Sequence, residues 1–129
     1  VYTADVLITD WSAIAFEFSF TTDKPALFVN TEMKVVNHDY KKIPVKPFDI
    51  SARERIGIAL EKDGCVNADK AVAELIEKGE DFKDRISSLK HEYFYNLGHS
   101  GEVGADYIIR RLKMREEKKV PREKSRAEA

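Results

Sequence analysis

The stretch Ile8-Thr9-Asp10-Trp11-Ser12-Ala13-Ile14-Ala15-Phe16-Glu17 brings chemically useful side chains together in a telling order. An apolar run ends at Asp10, a hydroxyl follows at Ser12, and a lone carboxylate, Glu17, interrupts an otherwise apolar segment. If the run is a strand and the segment a helix, Ser12 stands at the helix start, where free backbone amides favour a phosphate group. In open α/β sheets the same place, beyond the carboxyl end of a strand, is where ligands bind. Glu17 follows after a further turn or so of helix. An ionised carboxylate enclosed by apolar side chains needs a partner, because desolvating it without one is costly. A ribose diol would serve, with the adjoining phosphates at Ser12. Plainer assignments stay open: Ser12 as a helix cap only, and Glu17 paired with Lys24 or Arg53, or exposed on a helix less buried than its composition implies.

The elements that must position these residues follow from the apolar pattern. Ala4 to Thr9 is short, apolar and partly β-branched, which predicts a buried strand of a parallel sheet. Ala13 to Phe20 has apolar residues on every side of a helical wheel, so the helix is expected to be enclosed almost all round. Thr21-Thr22-Asp23-Lys24-Pro25 breaks the pattern, and Ala26-Leu27-Phe28-Val29 reads as a second buried strand. Strand, helix and strand joined by short connections make a βαβ unit. From Asn30 to Ile50 periodicity is lost and Pro44 and Pro47 intervene, so a long loop of the kind that often serves function is expected. Ser51-Ala52-Arg53-Glu54 has the form of a capping box and predicts a helix with Ile56, Ala59 and Leu60 on one face, ending near Asp63-Gly64.

Three further helices are expected. Asn67 caps the first, with Ala71, Val72, Leu75 and Ile76 as its apolar side. Phe82, Ile86, Leu89 and Tyr93 stripe the second, and Ser100 caps the third, which packs through Val103, Tyr107, Ile108 and Leu112. These readings define an α/β domain over residues 1–112 and a charged tail over 113–129 that frays after Val120-Pro121.

Composition narrows the function classes. The chain has 129 residues, 43% of them hydrophobic, enough for one modest core. With 22 basic against 23 acidic side chains there is no global field to attract nucleic acid or an anionic membrane. Cys65 is the only cysteine, which rules out an intramolecular disulfide and favours a reducing, cytoplasmic setting. No apolar run is long enough to span a bilayer. The chain opens on Val1-Tyr2-Thr3-Ala4-Asp5 without an initiator methionine, as expected of a piece of a longer protein. His38, His91 and His99 lack metal-ligand spacing and are expected at the surface; no metal or cofactor is called for. There is no Walker loop, glycine-rich dinucleotide fingerprint or nucleophile elbow.

Ala4-Asp5-Val6-Leu7-Ile8-Thr9-Asp10-Trp11-Ser12-Ala13, then Phe16-Glu17 and Lys24-Pro25, resembles the C-terminal signature of the CDP-glycerol glycerophosphotransferases, the family of teichoic acid polymerases and primases. The family pattern runs isoleucine-threonine-aspartate-tyrosine-serine-serine, then phenylalanine-aspartate, then lysine-proline. The resemblance is specific over residues 4–30 and loose beyond, with Asn96 to Leu112 similar to the family's last loop and helix. It implies the C-terminal half of a GT-B fold, in which two Rossmann-like halves bind a nucleotide mainly through the second. Carried over, Ser12 contacts the donor diphosphate, Glu17 takes the aspartate position and holds the ribose, and Asp10 shapes the turn. Trp11 replaces the family's tyrosine and Ala13 its second serine, which leaves the backbone amide at Ala13 to meet the phosphate.

The implied reaction is transfer of glycerol phosphate from CDP-glycerol to a hydroxyl of a cell-wall or surface polymer. The implied partners are that donor or another nucleoside-diphosphate donor, the polymer acceptor, and a preceding half of the same protein carrying the catalytic histidines. The setting implied is the inner face of the plasma membrane, touched peripherally by the full-length protein. Two other readings accompany it: a UDP-sugar glycosyltransferase or epimerase half, and a non-catalytic α/β interaction module with a structural glutamate.

Overall fold

The structure is a computed structural model that describes residues 3–33, 35 and 37–119. Strand β1 (Leu7–Thr9) leads into helix α1 (Ile14–Thr22), and the chain returns as β2 (Ala26–Asn30), parallel to β1 with Leu7 opposite Ala26 and Thr9 opposite Phe28. This is the expected βαβ unit. Helix α1 stops where Asp23 adopts a left-handed conformation (φ 59°), its amide donating to the Ser19 carbonyl at 2.9 Å, and Pro25 follows two residues on. Lys90 reinforces this end: its ammonium donates to the Phe20 carbonyl at 3.3 Å and pairs with the Asp23 carboxylate. A cation there also meets the negative end of the helix dipole.

The third strand is where the sequence reading and the structure part. The helix expected from Ser51 to Gly64 is instead two single helical turns, α2 (Phe48–Ser51) and α3 (Arg53–Ile56), followed by strand β3 (Gly57–Glu61). No capping box forms. The Ser51 hydroxyl donates to the Phe48 carbonyl, and Ala52 caps α3 without a side-chain hydrogen bond. Ile56, Ala59 and Leu60 fit a helix face by spacing alone, but β3 gains a full parallel ladder with β2, from Ala26 opposite Gly57 to Asn30 opposite Glu61. Gly57 makes the close approach possible: a Cβ built there would lie 1.7 Å from the Ala26 carbonyl oxygen.

The sheet therefore has three parallel strands in the order β1-β2-β3, flanked by helices in a Rossmann-like α/β arrangement. In the central strand Ala26, Leu27 and Phe28 are all buried, and successive strand residues point to opposite faces, so both faces of β2 are covered. Helix α4 (Ala68–Glu77) begins after Asn67, whose side chain makes no capping hydrogen bond, and buries Ala71 and Leu75, while Ile76 is exposed; α5 (Gly79–Tyr93) buries Phe82, Ile86 and Leu89. These side chains join Ala15, Phe16, Leu27, Phe28 and Ile56 in one core cluster.

Two burial expectations are corrected. The first strand is an edge of the sheet and only three residues long, with Ile8 exposed rather than buried. Helix α1 is not enclosed all round: Ala15, Phe16, Phe18 and Ser19 are buried, but Ala13, Ile14, Glu17 and Thr21 face outward. Three of these recur every four residues, so one narrow stripe of the helix is left open although its composition is apolar on every side.

The chain divides into two compact units, Val1–Tyr93 and Phe94–Ala129. The second unit contains α6 (Ser100–Lys119), which continues without a break past Leu112. Ser100 does not cap it; the hydroxyl donates to the carbonyls of Tyr95 and Asn96 at 2.9 and 2.8 Å. Val103, Tyr107, Ile108 and Leu112, expected to pack, are exposed. The part of the charged tail from residue 120 onward lies outside the described residues.

Candidate functional site

At the carboxyl ends of β1 and β2 lies a cavity of about 350 Å³. Its first wall is the turn after β1 and the start of α1, with Asp10, Trp11, Ser12 and Phe16. The long loop after β2 supplies Met33, Val35, Asn37 and Tyr40, and Pro47, Asp49, Ile50 and Arg53 close it from the α2–α3 side. The loop expected to serve function thus borders the site.

Hydrogen bonds hold the first wall in place. The Trp11 indole N–H donates to the Thr31 carbonyl at 2.8 Å, tying the turn after β1 to the loop after β2. The Ser12 hydroxyl accepts weakly from the Ile14 amide at 3.4 Å, so it is only a loose cap and its O–H is left to donate elsewhere. Ala13, at the N-cap position of α1, has no side chain capable of capping. The amides of Ile14, Ala15 and Phe16 are taken up by oxygens of Ser12 and Ala13, the first two only at 3.4 Å, so the Ser12 O–H is a donor left beside the cavity at this positive helix end.

Phe48 fastens the second wall. Its ring lies 5.2 Å from that of Phe16 in α1, 6.4 Å from Phe20 and 4.6 Å from Tyr93 in α5, a cluster of tilted rings that locks the short turn α2 onto two longer helices. From the adjoining turn, Arg53 lies across the carboxyl ends of both strands. Its guanidinium carbon is 4.0 Å from the Trp11 ring centroid and 4.4 Å from that of Phe28. The residue is 5% exposed, yet among the described residues its only hydrogen bond is a long one, from Nη2 to the Asp10 carbonyl at 3.5 Å, and its buried Nε has no partner there. Burial pushes its pKa below the usual arginine value, opposed by the charges of Asp10, Glu61 and Asp49.

The residues singled out in the sequence fall in different places. Asp10 and Ser12 line the cavity, and Ala13 stands beside it at the helix start. Glu17 does not line it. That carboxylate is exposed on the outward stripe of α1, four residues on from Ala13, so the reason for seeking it a partner, burial among apolar side chains, does not hold. Neither Lys24 nor Arg53 pairs with it: Lys24 binds Asp5 at 3.1 Å, and Arg53 forms no ion pair among the described residues. His38, His91 and His99 are exposed, and no group of residues with metal-binding geometry occurs among the described residues.

Sequence reasoning missed Arg53, Asp49 and Tyr40 as lining residues. Arg53 was hidden by its setting in Ser51-Ala52-Arg53-Glu54, where it read as the interior of a capping box. The one available signal was a cation three residues before an apolar run that could equally be a strand.

The fold and the cavity's place in it are those of a Rossmann-like α/β unit with a site at the sheet's carboxyl edge. Residues 1–47 match the family model described as CDP-Glycerol:Poly(glycerophosphate) glycerophosphotransferase, so this part of the chain is similar to a transferase family. No curated protein and no solved structure matches the chain. Among the cavity's lining residues only Asp49, Ile50 and Arg53 lie outside the matched stretch.

Proposed function

We propose that this chain is the donor-binding part of a glycerophosphotransferase, acting within a longer protein. The donor is CDP-glycerol. A hydroxyl of a cell-wall or surface polymer attacks the phosphorus that bears glycerol, the bond to the bridging oxygen breaks, and CMP leaves with the electron pair. The acceptor's proton goes to a base in the preceding half of the protein, and the reaction takes place at the inner face of the plasma membrane.

The observation that carries this reading is the position of the cavity. It opens at the start of α1, and ten of its thirteen lining residues fall within the stretch that matches the glycerophosphotransferase family. In such a reaction the protein contributes mainly by holding the donor and offsetting charge at its phosphates. Ser12 and the amide at Ala13 take the diphosphate, and Asp10 shapes the turn that presents them. Trp11 and Tyr40 line the cavity and supply aromatic surface for the base. Glu17 lies on the same side of α1 as Ala13 but outside the cavity's lining, and its role at the ribose rests on the family resemblance alone.

Titration of the 129-residue chain with CMP and with UMP, followed by NMR, tests this. Cytidine nucleotide is expected to shift the Trp11 indole and Ser12 amide signals, with Ser12→Ala weakening binding by about tenfold and Glu17→Gln by less. Tighter binding of UMP would replace the donor with a UDP-sugar. Absence of binding by either nucleotide would leave the interaction-module reading standing.

A further inference from the structure

Arg53 is a buried cation short of partners. A guanidinium carries five N–H donors and stays protonated, yet here one donor makes a long bond to a carbonyl and the buried Nε makes none. Leaving such donors unmade costs more than an average hydrogen bond gains. The Trp11 and Phe28 rings compensate in part by cation–π contact. These contacts restrain the side chain without using its hydrogens. Asp10, Asp49 and Glu61 are near enough to hold the charge in place, but none forms an ion pair with it. The side chain borders the same cavity as Ser12 and the start of α1.

We infer that Arg53 is an anchor for a phosphoryl group in this cavity, completing an anion subsite with the Ser12 hydroxyl at the start of α1. The ligand class is a nucleoside diphosphate, and this rests on the donor-binding reading above. Rigid placement between two rings suits bidentate bonding to phosphate oxygens, since little side-chain freedom remains to be lost. Asp10 and Asp49 also border the cavity and repel an anion. Asp49, which can only accept hydrogen bonds, suits hydroxyl or amino protons of the same ligand.

The test compares cytidine, CDP and inorganic pyrophosphate on the intact chain and on Arg53→Met and Arg53→Lys, with circular dichroism and the melting temperature as controls for folding. CDP is expected to bind more tightly than cytidine, and Arg53→Met to weaken CDP by about 10–100-fold while leaving cytidine within about twofold. Pyrophosphate binding is expected to be lost in the same variant. If Arg53→Met does not fold, Arg53→Lys, which keeps the charge but not the planar fork, is expected to weaken pyrophosphate and CDP in the same direction. CDP and cytidine falling together would make Arg53 a strut between two rings and overturn the proposal, as would CDP binding unchanged. Should the intact chain bind pyrophosphate but neither cytidine nor CDP, the donor reading fails, and loss of pyrophosphate on substitution still upholds the anion subsite. Failure of the intact chain to bind pyrophosphate or CDP overturns it.

Discussion

The two walls of the cavity are built in opposite ways. The first, from Leu7 to Asn30, is a continuous strand–helix–strand passage whose turns are closed mainly by near neighbours, with Lys90 as a remote support at the end of α1. Asp23 bonds back to Ser19, Thr22 to Phe18, and Ile14 to the Ser12 hydroxyl. The second, from Phe48 to Glu61, has two helical turns that are too short to be stable alone. It is held by partners distant in the chain: the Phe16, Phe20 and Tyr93 rings around Phe48, the Trp11 and Phe28 rings around Arg53, and the backbone of β2 beside Gly57. Local closure tolerates single losses because each bond is one of many. A wall held by a few remote contacts does not.

The most damaging single change should therefore fall in the second region. Gly57→Ala places a methyl group against the Ala26 carbonyl, where only a backbone shift can relieve it. A destabilisation of about 3 kcal/mol or more is expected in urea titrations, at the upper end for overpacking. A variant as stable as the parent would mean that β3 docks less tightly than its register shows.

Phe48→Ala comes next, with an expected loss of about 2 kcal/mol from a half-buried ring that contacts three others. Because α2 carries Asp49 and Ile50 into the cavity, the same variant should also weaken CDP binding. Equal binding at reduced stability would show that the second wall holds its shape without the ring cluster.

The smallest effect is expected in the first region. Ser19 is fully buried, yet its hydroxyl has no hydrogen-bond partner. Ser19→Ala removes an unsatisfied group and should leave stability within about 1 kcal/mol of the parent, more often raising it. A clear loss of stability would reveal a dependence on that hydroxyl and blur the contrast between the two walls.

What the sequence determined by itself is the part whose physics is local. The apolar run before Asp10, the break at Asp23 and Pro25 and the run from Ala26 sufficed for a parallel βαβ unit, and Ser12 was legible as a residue at a helix start because its neighbours define one. The stripe of Phe82, Ile86 and Leu89 was legible for the same reason. Tertiary structure alone decided the third strand, since Gly57 to Glu61 becomes extended only by pairing with β2, and five residues with a helix-compatible spacing carry no record of that partner. It also decided which side of α1 is open. Composition gave apolar residues on all sides, but packing covers a helix unequally, so Glu17 emerged at the surface while Ser19 went inside. Arg53 shows the limit most clearly: its burial depends on two rings 42 and 25 residues away in the chain, a distance over which no residue pattern reports.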